Sequence, residues 1–248
     1  MKTNKLTLVL ILVAALLLAG CSSSLRVGAL QTESQSVELG DAKSVGVKIL
    51  FAAGNLQLSG GAEELLQADF TYNVAELKPE VAYKNGTLVI RGPETKRVFN
   101  PIPDFRGISD FRNEWGLRLN NQVPMDLSVE MGAGNSDLQL SGLSLNGLDV
   151  SLGAGTYSID LSGDWARDLD VTIDAGLANV SVRLPNEVGA RVKVESGLYT
   201  IETSGLAKDG DVYTNAAYGA SDVTLRVDVQ GGLGQINLVV DESKQAEK

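Results

Sequence analysis

Histidine is absent from the 248 residues, and cysteine occurs once, at Cys21. The first absence removes Ser-His-Asp and Cys-His catalysis and histidine zinc sites. The second removes any internal disulfide, so stability must come from a packed core. Aromatic residues make up only 5% of the chain, too few to line a long stacking groove. Tuned carboxylates, lysine, tyrosine or a metal held by oxygens are the chemistry that remains. No catalytic residue, metal site or cofactor can be assigned, and the expectation is a protein that is not an enzyme.

Long apolar runs are also scarce, and the exception is at the start. Lys2 and Lys5 precede "LTLVLILVAALLL", residues 6–18. Thirteen apolar residues suit the core of a signal peptide and are short for a bilayer span. The end of the run, Leu18-Ala19-Gly20-Cys21, resembles the bacterial lipobox, in which the cysteine is lipidated and becomes the new N-terminus. Residues 1–20 are therefore expected to be a lipoprotein signal peptide, Cys21 the lipidation site, and 21–41 a polar tether. Two acyl chains, at roughly 0.8 kcal/mol per buried CH2, would hold the protein on a membrane. The expected location is extracytoplasmic, on the outer face of the cell membrane, or on an outer membrane where the host has one.

Positive charge is the other shortage. The chain has 21 basic against 31 acidic residues, and removing Lys2 and Lys5 with the signal leaves 19 against 31. An acidic body of this kind excludes nucleic acid as a partner and is repelled by anionic lipid headgroups.

What the sequence has in plenty is glycine, 27 residues. "LGAGTYSIDLSG", residues 152–163, could be a phosphate cradle or a corner in a repeating sheet. A cradle should open a helix, yet "TYSIDLSG" alternates like a strand. The second glycine of the motif recurs at Gly134, Gly155, Gly176 and Gly197, 21 residues apart each time. Seven, five and three residues before these landmarks, and four and six after, the residues are almost all apolar. Polar residues such as Ser128, Asp149 and Asp170 lie between. Period-2 alternation on both sides of a glycine, repeated in register, describes strand, corner, strand. One unit cannot bury its apolar face; stacked units bury a continuous core. Further copies centre on Gly54 and Gly232, the latter 35 residues after Gly197, with extra residues near "GLAKDGDVYTNAAYG". The six glycines, Gly54, Gly134, Gly155, Gly176, Gly197 and Gly232, are read as structural corners. The fold class is all-β, a β-solenoid with 21-residue rungs. A leucine-rich repeat, hinted at by "LSGLSLNGL", ranks below it because later units lose the leucines.

The least repetitive stretch is residues 91–124, an irregular insertion with four of six prolines, three of five phenylalanines, Trp115, and five arginines. Arginine with aromatics suits recognition through stacking, cation–π contact and anion pairing. Phe105, Arg106, Phe111, Arg112 and Trp115 are the candidate partner-binding residues. The plainer reading is a long loop whose Phe and Trp cap the solenoid, and the two roles can coexist. Acidic side chains are expected to stack on adjacent rungs, Asp174 beside Glu195 and Asp149 beside Asp170, as a solvated outer ladder. "KDGD", residues 208–211, reads as a turn.

Residues 51–92, with the early glycine corner, "ADFTYN", "KPEVAY" and "GTLVI", resemble the N-terminal module of the toast-rack family. The doubled "GAG" of residues 123–163 looks like its continuation, and the rest, to about Val240, is similar to adhesin-type β-helical domains. The resemblance implies a right-handed, single-stranded-type β-helix outside the cell membrane. It divides the chain into a toast-rack module at 42–145, containing the 91–124 loop, an adhesin-like β-helical region at 146–241, and a tail at 242–248. Some relatives belong to membrane proteins that respond to cell-wall-active antibiotics, but here a lipobox replaces their membrane helices. The expected function is a non-enzymatic cell-envelope lipoprotein, adhesin-like or associated with envelope stress, that binds an envelope protein or glycan. The alternatives are a polysaccharide-active β-helix enzyme and a structural spacer rod. The regular rungs carry few aromatics beyond Tyr157 and Tyr199, which weighs against the enzyme.

Overall fold

A computed structural model describes residues 27–92 and 110–241. Cys21, Phe105 and Arg106 lie outside the described residues, as do the proposed signal and tail. The described residues form thirteen strands and one short 3-10 turn, Ala75–Leu77. The strands are β1 (Gln31–Val37), β2 (Val45–Ala62), β3 (Leu66–Tyr72), β4 (Glu80–Lys84), β5 (Thr87–Arg91), β6 (Asn113–Asn120) and β7 (Met125–Gln139). They continue with β8 (Leu145–Asp160), β9 (Leu169–Leu184), β10 (Gly189–Ser204), β11 (Ala207–Asp209), β12 (Val212–Thr214) and β13 (Thr224–Val240).

The alternation explains the long strands. In β7, Leu127, Val129 and Met131 are buried before the glycine motif, and Leu138 after it. The inward parity flips at the corner, because the strand bends there and both halves then face one core. Similar flips occur in β2, β8, β9 and β13. These bent strands stack in parallel, β2 on β7 on β8 on β9, and one hydrophobic cluster runs through them all. β7 pairs with β8 along both halves, with a bulge at Asn146 where the register shifts by one residue.

The 21-residue frame holds for one step only. Gly134 lies opposite Gly155, but Gly155 lies opposite Ala178 and not Gly176, an advance of 23. The turn "LSGDWARD" supplies the extra length. Its Trp165 is buried and donates its indole N–H to the Leu161 carbonyl at 2.9 Å. The sequential order fails next. β13, the last strand of the described chain, lies between β9 and β10 and pairs in parallel with both. Gly176 and Gly197 therefore flank Gly232 and are not neighbours. The start of β13 is fastened by Asp168, which accepts the Thr224 backbone N–H at 2.9 Å and pairs with Arg226 at 2.5 Å. Those two contacts, the backbone bond first, hold the Asp168 carboxyl below its usual range. The extra residues before β13 form the β11–β12 hairpin, which covers Arg191–Lys193 of β10. Its tip is the "KDGD" turn, with Gly210 at φ 62°.

The irregular stretch is partly regular. Its Asn113–Asn120 segment is β6, held between β3 and the second half of β2. The alternation Trp115, Leu117, Leu119, all buried, is a strand signal that the density of proline and arginine around it obscured. Together β5 and β6 make one rung against β2, β5 on its first half and β6 on its second.

Candidate binding groove

Two ladders run along the corner. The paired positions on either side place Ala52, Gly132, Gly153, Gly176, Gly232 and Gly197 in one line on successive rungs. Gly54, Gly134, Gly155, Ala178, Gly234 and Tyr199 form the second. Of the six predicted corner glycines, only Gly54, Gly134 and Gly155 belong to this second ladder. Gly176, Gly197 and Gly232 belong to the first and have no positive φ. They sit two residues before the corner position that the 21-residue spacing assigns to them. What they supply is close approach: a Cβ on any of them would come 2.9–3.0 Å from the neighbouring rung's carbonyl oxygen. Gly134 shows the stricter demand, with φ 121° and a Cβ position 2.0 Å from the Gly54 oxygen. At Gly155 the corresponding distance, to the Gly134 oxygen, is 1.8 Å.

Because the first ladder carries no side chain beyond one alanine methyl, it leaves a groove of about 1280 Å³ along the outer face of the corner. One wall is a line of outward residues in strict register: Leu50, Glu130, Ser151, Asp174, Gln230 and Glu195. Six rungs at about 4.8 Å give a length of roughly 24 Å. Arg91 and Gly92 stand at the β2 end. The carboxylates occupy every second rung, roughly 10 Å apart. The expected contact of Asp174 with Glu195 is thus corrected, since Gln230 separates them. Asp149 and Asp170 are likewise not opposite each other: Asp149 faces Thr172, and Asp170 faces Arg226. Glu195 is bound by Lys193, whose ammonium pKa this contact raises. No group of three or more metal-ligating side chains gathers among the described residues. Just inside the corner, Ser136 Oγ and Tyr157 OH lie on adjacent rungs with no hydrogen-bond partner among the described residues. Burial pushes the Tyr157 phenol up, with the nearby Tyr199 adding to it.

The predicted aromatic and arginine site is divided. Trp115 is 2% exposed, packs edge-on against Phe51 and Phe70, and donates its indole N–H to Asn113 Oδ1. It is a core residue and offers nothing to a partner, which corrects its candidacy. Phe111 packs on Val74 and Leu77 as a small satellite cap. Arg112 is exposed and pairs with Glu114 at 2.8 Å. Its backbone is clamped by Asn73, which both donates to and accepts from it. Phe111 and Arg112 do line a second hollow, of about 390 Å³, beside Gly54 and Gly134. The glycine-floored groove itself went unnoticed in the sequence. Its signal is the first glycine of each "GAG", Gly132 and Gly153, together with Gly176, Gly197 and Gly232.

The profile described as the N-terminal domain of toast_rack, DUF2154, matches residues 26–183. The chain belongs to the toast-rack family. This toast-rack protein is 30% identical to a structure from Clostridium sporogenes named for a proposed role as a cell adhesion protein. That alignment covers 86% of this chain and 100% of the other, with a TM-score of 0.78. A Bacteroides fragilis protein named as a proposed adhesin aligns at 12% identity over 85% of this chain and 97% of its own, with a TM-score of 0.34. No curated protein matches this toast-rack chain.

Proposed function

We propose that this toast-rack protein is an adhesin-like binding protein of the cell envelope, acting without catalysis, and that the corner groove is where it binds. The groove is the observation that carries the reading. It is open, runs across six stacked rungs, and presents carboxylates at a regular interval on a rigid sheet. The alternation of acidic and neutral residues along its wall suits an elongated envelope protein or glycan better than a compact substrate. The likeness to the Clostridium sporogenes protein supports the adhesin-like part of this reading. Lipidation at Cys21 would tether the groove outside the membrane, with the right-handed winding implied by the family, and an association with envelope stress belongs to the same proposal.

The test is a Glu130→Lys/Asp174→Lys double variant. Both positions are exposed, so melting should be unchanged while adherence of expressing cells to isolated envelope material is lost. Full adherence by the folded variant would remove the groove from the mechanism. Cys21→Ala tests the tether separately: it should leave an unacylated precursor, and persistent palmitate labelling would refute the anchor.

A further inference from the structure

The last rung of the solenoid is closed on one half and open on the other. Along the first half of β10, the β11–β12 hairpin covers Arg191–Lys193, and Val192 and Val194 are buried. Along the second half no described strand pairs with the outer edge. Tyr199, Ile201 and Thr203 point inward there, opposite Gly234, Ile236 and Leu238 of β13. Ile236 and Leu238 are fully buried, yet Tyr199 and Ile201 are only half-buried and Thr203 is exposed. An uncovered edge of this kind is a template for another strand.

The sequence of the edge says which strand fits. We infer that Tyr199–Ser204 is a self-association edge that pairs antiparallel with the same segment of a second copy, about a twofold axis at Ile201. That register sets Ile201 against Ile201 and Tyr199 against Thr203, all on the inward face. It sets Thr200 against Glu202 on the outward face. Apolar positions meet apolar or small ones, and the glutamate never meets its own copy, which would be unfavourable. The pairing is isologous and closes after two copies. Next to the edge, Leu177, Leu233 and Leu198 stand in register on the last three rungs, 62%, 49% and 76% exposed. They extend the apolar character of this end beyond the edge strand.

The experiment uses single cysteines in the full chain, with the wild type giving the background from Cys21. Directly paired residues in an antiparallel ladder have Cα atoms about 4.5–5.5 Å apart, within disulfide reach. Ile201→Cys should form a disulfide dimer several-fold above Thr32→Cys, which sits on the exposed strand β1 at the other end of the sheet. A mixture of Tyr199→Cys with Thr203→Cys should crosslink more than either alone. Wild-type protein should sediment as a dimer at high concentration, and Ile201→Lys, which sets two ammonium groups face to face, should sediment as a monomer. A wild type that stays monomeric at every concentration overturns the proposal. So does Glu202→Cys crosslinking as well as Ile201→Cys, or capture of a different protein at position 201 in its place.

Discussion

The two ends of the solenoid are built from one motif but assembled differently. In β2, β7 and β8 the middle residue of the corner is Ala53, Ala133 or Ala154, and β7 and β8 stack in chain order. In β9, β13 and β10 the same position holds Leu177, Leu233 or Leu198, and the order is not that of the chain. The alanine end carries its first rung in two pieces, β5 and β6, and is extended by β3 and β1, each antiparallel to the strand before it. The leucine end stops at a half-covered strand. The contrast shows that glycine spacing specifies the shape of a rung and leaves its neighbours to be chosen by turn length and side-chain contacts, here those of Trp165, Asp168 and Arg226.

Removing Thr224–Val240 tests that contrast most severely. Leu225, Val227, Val229, Ile236 and Leu238 are fully buried, and each represents about 1.5–3 kcal/mol. The sum exceeds much of the roughly 5–15 kcal/mol that holds a typical domain together. Hydrogen exchange should show β9 and β10 unprotected while β2 and β7 keep some protection. Equal protection at both ends would mean that β13 is dispensable.

Next in size is Trp115→Ala, which should cost about 3–5 kcal/mol, against at most about 1 kcal/mol for Arg112→Ala, whose ion pair is exposed. Chemical denaturation of the two variants compares them directly. Similar losses would contradict the division of this stretch into core and surface.

Gly155→Ala should cost about 1–3 kcal/mol, because the new methyl meets the Gly134 carbonyl at a distance no Cβ tolerates. Gly147→Ala, whose nearest neighbour is 3.7 Å away, should change stability by no more than about 0.5 kcal/mol. Indistinguishable melting temperatures would remove the need for glycine at the corner.

The smallest effect belongs to Asp168. Its folded pKa is lowered, so its contribution is present above the ordinary aspartate range and is lost as pH falls through the folded value. Asp168→Asn should flatten the acid limb of the stability curve and leave its alkaline side alone. An acid limb as steep as in the wild type would show that the contact does not anchor β13.

The inward residues were legible in the sequence although the register was not, and for one reason. Moving the landmark from Ala178 to Gly176 shifts the frame by two residues, and a shift of two keeps every side chain on its own face. Val171, Ile173, Val180 and Val182 were thus expected inside and are buried, while the expected carboxylate pairs dissolved. Thr203 has the right parity and is still exposed, because burial also needs a following rung. The insertion of β13 was invisible, since parallel pairing partners leave no local mark in the chain.

That insertion makes the joining of β9 to β10 depend on a strand that follows both in the chain. β9 and β10 are joined by the short segment 185–188, yet they must remain one rung apart until β13 arrives. Asn215 keeps the site prepared, donating to the Pro185 and Val188 carbonyls and accepting from the Ala190 N–H. A chain without Thr224–Val240 keeps the rungs on either side and exposes the facing edges of β9 and β10, which β13 covers in the folded protein.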